Sequence, residues 1–125
     1  MMLEEVAEAL AKGCREGRER EGLKALYAPG AVSVEAEAMP GGGRETAGIA
    51  GIEGKHDWWE ANFEVTGGDV AGPFLHAPDR FALVFSVEGR PKAGGDAFLM
   101  REVALYTVSG GKIVREEFFA APQPG

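Results

Sequence analysis

"YTVSGGKIVREEFF", residues 106–119, reads as two strands joined by a tight turn. Gly110 and Gly111 supply the positive φ that a hairpin turn requires. The strand before the turn extends back through "DAFLMREVAL", and "KIVREEFF" follows it. Working outward, "DRFALVFSVEGR" at 79–90 alternates Phe81, Leu83, Phe85 and Val87 with Arg80, Ala82, Val84, Ser86 and Glu88. That period of two predicts a half-buried strand. "FEVTGGDVAGPFL", from residue 63, predicts another, broken by glycines that favour a bulge. His76, in "PFLHAPD", reads as a loop residue. Strands joined by short turns form a mostly antiparallel sheet.

The preceding half is mainly helical. Leu3, Val6, Leu10 and Cys14 recur at helical spacing, with Glu4, Glu5, Glu8 and Lys12 off the stripe. "REREGLKALY" at 18–27 predicts a shorter helix with Leu23, Leu26 and Tyr27 inward, stopped by Pro29 and Gly30. "AVSVEAEAM" has the alternation of a strand, and "PGGGRETAG" at 40–48 reads as a flexible loop. Residues 49–62 return to a helix on which Ile52, His56, Trp59 and Phe63 share one face. Trp58 lies about 100° away from Trp59 around that helix, so it faces elsewhere. Antiparallel strands curved over three N-terminal helices give an α+β roll, a cone with a ligand cavity at its open end. The expectation is a single domain spanning 1–125, with 121–125 as a frayed tail.

Composition narrows the function classes. A net charge of −7 over 125 residues, without a basic cluster, argues against nucleic acid as a partner. Cys14 is the sole cysteine, so no intramolecular disulfide forms. Together with two separated histidines it has no metal-ligand spacing, and neither a metal nor a cofactor is expected. Gly54-Lys55 is not a phosphate loop, because Ile49 stands where its first glycine belongs and His56 replaces the Ser or Thr. No Gly-x-Ser-x-Gly elbow is present. The acidic N-terminus is unlike a signal peptide and no apolar run is long enough to span a membrane, so a cytoplasmic location is expected.

Three segments together, "LYAPGAVSVE", "GIEGKHDWW" and "YTVSGGKIVREEFF", resemble the SnoaL-like branch of the nuclear transport factor 2-like superfamily. The resemblance covers nearly the whole chain and implies the cone-shaped roll. The superfamily includes cyclases, isomerases, epoxide hydrolases, dehydratases and plain binding modules. Alignment with ketosteroid isomerases places Glu35 at the position of the general base. It also places Leu10 and Ala104 where those enzymes carry their oxyanion donors. Polyketide cyclases of the SnoaL branch carry an acid after a tryptophan in the last strand; here no acid follows Glu117.

The same alignment implies that Met100, Glu102, Ala104, Tyr106 and Val108 face inward. On the last strand it implies Val114, Glu116 and Phe118, although one bulge would exchange them for Arg115, Glu117 and Phe119. Glu35, Glu102 and His56 are then the candidate acid–base groups. Trp59, Phe85, Met100, Tyr106, Glu116 and Phe118 are the candidate pocket lining. A carboxylate desolvated among aromatic side chains can exchange protons near neutral pH. The expected ligand is a small apolar or aromatic molecule, handled by an isomerase, cyclase or hydratase or held by a non-catalytic binding module. Leu99, Val103 and Leu105 on the outer sheet face suggest a homodimer contact.

Overall fold

The computed structural model describes residues 1–121, so the expected tail lies, apart from Ala121, outside the described residues. The first helix, α1 (Leu3–Arg15), buries Val6, Ala7, Leu10 and Ala11. Its first turn carries Glu4 and Glu5 and its last turn Lys12 and Arg15, each placed to favour the helix dipole. The Met2 backbone N–H also donates to Glu5 Oε1 at 2.9 Å. At the other end the Arg15 guanidinium donates to the carbonyls of Val70 and Gly72, tying the helix to the sheet.

The second helix, α2 (Glu19–Leu26), ends sooner than its sequence suggests. Tyr27 is already extended, with φ −96° and ψ 142°, and opens β1 (Tyr27–Val34). Pro29 disfavours helical geometry at Ala28, so the chain leaves the helix before reaching the proline. Leu23, Leu26 and Tyr27 are nonetheless all buried, as the pattern predicts. The glycine loop is a second correction, because it includes a short strand, β2 (Glu45–Ala47). β2 pairs antiparallel with β1, Val34 opposite Glu45 and Val32 opposite Ala47.

Next come α3 (Ile49–Asn62), β3 (Phe63–His76), β4 (Arg80–Pro91), β5 (Phe98–Ser109) and β6 (Lys112–Ala120). His76 is therefore the last residue of a strand, opposite Arg80, rather than a loop residue. The six strands form one sheet in the order β2-β1-β6-β5-β4-β3. β1 and β6 run parallel, and every other neighbouring pair is antiparallel. This is an α+β roll: α1 packs on β3 and β4, and α3 on β1, β2 and β3. Tight strand contact fixes Gly68, where a Cβ would lie 2.1 Å from the Ser86 carbonyl oxygen and φ is 150°.

The inner face of the sheet follows from its registers. Phe81 pairs with Tyr106, Leu83 with Ala104, Phe85 with Glu102 and Val87 with Met100. Across β5, Tyr106 pairs with Glu116 and Ala104 with Phe118. Glu116 and Phe118 thus face inward, and Glu117 and Phe119 outward. The expectation fails at one place. Thr107 pairs with Arg115 but Val108 with Ile113, so Val114 is an extra residue. That bulge delivers Ile113, fully buried, to the core in place of Val114. The narrow end of the cone is filled by side chains, with the Phe81 and Tyr106 rings stacked at 4.8 Å. On the outer face Leu99 and Phe119 are exposed, while Val103 and Leu105 are half-buried.

Candidate functional site

Among the described residues, two polar ones are buried with the core, Ser33 and Glu116. They face each other across the parallel β1/β6 pair. Ser33 Oγ donates to Glu116 Oε2 at 2.6 Å, and the Tyr27 hydroxyl donates to Glu116 Oε1. Both carboxylate oxygens are thereby engaged, which is what a carboxylate needs when water is excluded. From α3, Lys55 Nζ donates to Ser33 Oγ at 2.7 Å and pairs with Glu35 Oε1 at 2.8 Å. The Lys55 ammonium also stands 5.7 Å from the centroid of the Phe118 ring. The result is a chain running Tyr27–Glu116–Ser33–Lys55–Glu35, from the buried core to the part-exposed Glu35.

Glu102 lies on the inner face of β5, one alternation from Ala104. Burial pushes its carboxyl up to about 7, the Glu35 and Glu116 charges push the same way, and Lys55 opposes them. The Glu102 side chain makes no hydrogen bond or ion pair with another described residue. No fully buried side-chain polar atom among the described residues lacks a partner, so the unpartnered Glu102 oxygens are not sealed from solvent. Burial and the Glu116 charge raise Tyr27 and Tyr106 well above the usual phenol range. Burial, followed by Glu19 and Glu116, pushes the Cys14 thiol up to about 12, which leaves it unreactive as a nucleophile.

Glu35 pairs with Lys55, the Phe118 ring lies 5.7 Å from the ammonium, Glu116 is joined to it only through Ser33, and Glu102 bonds none of them. Phe85 and Met100 flank Glu102 on the inner face and are half-buried. Tyr106 instead belongs to the core, 2% exposed and stacked on Phe81. His56 is half-buried but bonds neither Glu35 nor Glu102, and the pairing expected of it falls to Lys55. The cause is the helical step, since adjacent residues point about 100° apart. Trp59 packs on Phe63 at 4.5 Å and near Phe98 at 6.3 Å, a separate aromatic cluster. Trp58, 38% exposed, meets the edge of Phe63.

Sequence reasoning passed over Lys55 and Tyr27 as site residues. Lys55 did carry a signal: Ile52, Lys55 and Trp59 are spaced three and four apart, as good a stripe as the one through His56. Two open depressions, of about 220 and 270 Å³, lie elsewhere, over β3, β4 and β5 around Glu88 and Leu99. Neither is lined by Lys55, Glu102 or Glu116.

No helix among the described residues is long and apolar enough to cross a membrane. No curated protein matches the sequence. Solved structures do. A Mesorhizobium loti protein described as a candidate SnoaL-like polyketide cyclase (carbohydrate phosphatase) is 35% identical, with a TM-score of 0.88 over 95% of this chain and 99% of that one. TerC, co-crystallised with polyporic acid, is 25% identical, with a TM-score of 0.72 over 94% and 89% of the two chains. A Catenulispora acidiphila protein with a ketosteroid isomerase-like fold, at 19% identity and a TM-score of 0.69 over 94% and 85%, shares the fold. The SnoaL-like domain model matches residues 4–116, and with the cone, the sheet order and these relatives it shows that the chain belongs to the SnoaL-like family.

Proposed function

We propose that this protein moves protons on a small, largely apolar molecule held at the open end of the cone, as an isomerase, cyclase or hydratase would. The observation that carries the reading is Glu102: a half-buried carboxyl with no protein partner, held up to about 7 by burial and by neighbouring acids. Such a group is protonated and ionised in comparable amounts near neutral pH, so it can both take and return a proton. Phe85 and Met100 give it apolar neighbours, while the Glu35 and Lys55 charges act on it in opposite directions. Kinship to a candidate polyketide cyclase and to a protein crystallised with polyporic acid favours conjugated oxygenated substrates. Fold alone does not assign the reaction.

The test is exchange of carbon-bound protons. A panel of hydrophobic cyclic ketones in heavy water, followed by NMR, is expected to show protein-dependent deuterium uptake. Glu102→Gln should slow that uptake by about 10²–10⁴-fold, the usual contribution of a general acid–base group. Equal uptake by the variant would remove Glu102 from the reaction.

A further inference from the structure

Ser33 is fully buried, yet it is a serine in a strand position that a valine would fill without a polar group to satisfy. Ala31, Ser33 and Glu35 alternate onto the inner face of β1 and its continuation, so Ser33 and Glu35 stand about 7 Å apart along the chain. Lys55, reaching down from α3, bridges the two. Its Nζ lies 2.7 Å from Ser33 Oγ and 2.8 Å from Glu35 Oε1. The Lys55 and Glu35 side chains are 13% and 25% exposed, so water screens this pair less than one on the open surface.

The hydrogen bonds also have a fixed direction. An ammonium can only donate, so Ser33 Oγ accepts from Lys55. The hydroxyl has a single proton, and Glu116 Oε2 takes it at 2.6 Å. Glu116 cannot turn aside, because the Tyr27 hydroxyl holds its other oxygen. Donating to a carboxylate polarises the serine and makes its oxygen a better acceptor for the ammonium. We infer that Ser33 is a positioning residue: aimed by Glu116 and Tyr27, its hydroxyl fixes the Lys55 ammonium against Glu35. Without that acceptor the lysine's flexible four-carbon stem is free to turn the charge elsewhere. The consequence for chemistry runs through Glu102, on which the Glu35 and Lys55 charges act in opposite directions.

The first measurement needs no substrate. Acetylation of the lysines by acetic anhydride, read residue by residue by mass spectrometry, reports how free each amine is. In the wild type Lys55 should react more slowly than the exposed Lys12 and Lys24. Ser33→Ala is expected to speed Lys55 at least about tenfold, the usual size of one hydrogen bond to a charged group, and to leave Lys12 and Lys24 unchanged. Ser33→Thr keeps the hydroxyl and should retain the protection. Val6→Ala truncates a fully buried side chain on α1, controls for general loosening and should leave Lys55 slow. A Lys55 as slow in Ser33→Ala as in the wild type, or as fast in Val6→Ala as in Ser33→Ala, overturns the positioning role. The link to chemistry rests on the proposed function and is read separately, from the pH profile of deuterium uptake. Releasing Lys55 removes the charge that opposes the raised Glu102 carboxyl, so the midpoint should move upward in Ser33→Ala. An unmoved midpoint overturns that link. No uptake by the wild type overturns the proposed function, while the labelling result still decides the role of Ser33.

Discussion

The inner face of β5 has two halves that obey the same alternation and meet different fates. Ala104, Tyr106 and Val108 are at most 9% exposed, whereas Phe98, Met100 and Glu102 are half-buried. Identical pleating puts all six on one side of the sheet. Their cover differs: the first three join the cluster with Val6, Leu10, Leu23 and Phe81, while Phe98, Met100 and Glu102 stand outside it and stay half-buried. Alternation thus selects a side, and helix packing decides whether that side is dry. A carboxyl can survive at 102 because water still reaches it; at 104 it would need a partner such as Ser33 and Tyr27 give Glu116.

The comparison can be broken most forcefully at the closed end. Phe81→Ala removes a fully buried ring stacked on Tyr106 and is expected to lose about 3–5 kcal/mol in urea denaturation. A loss under about 1 kcal/mol would mean that this end is not the packed core. Glu116→Ala comes next. It leaves the Tyr27 and Ser33 hydroxyls without their acceptor, an expected loss of about 2–4 kcal/mol, with near-neutral stability as the contrary result.

The smallest effect has the opposite sign and sharpens the difference between the halves. Glu102 titrates at about 7 when folded against 4.5 in the open chain, so folding favours its protonated form. Its contribution is fully favourable below 4.5 and is lost as pH rises through 7. Glu102→Gln, which mimics the protonated acid, should therefore match the wild type near about pH 4 and exceed it by on the order of 2 kcal/mol near about pH 8. Parallel stability–pH curves for the two proteins would show that Glu102 is solvated like an ordinary surface acid.

Much of the fold was legible because its signals are local. The stripe of α1, the alternation of β4 and β5 and the Gly110–Gly111 turn each lie within a few residues. The end of α2 was misjudged by one residue, and β2 hid within glycines because a three-residue edge strand has no period to read. The site was less legible. Glu35, Glu102, Glu116 and Phe118 could be named as inward-facing, but His56 took the attention due to Lys55, one helical step away.

What the sequence determined by itself was the order of the elements other than β2, the buried face of β4 and β5, and the family to which the chain is similar. Tertiary structure alone decided the β6 bulge that substitutes Ile113 for Val114, and the joining of Tyr27 and Ser33 to Glu116. Those last partners are 89 and 83 residues apart along the chain. Periodicity is set by backbone geometry over one or two turns, and every residue carries its share of it. A contact between distant strands depends on register, and register is fixed only when whole elements pack.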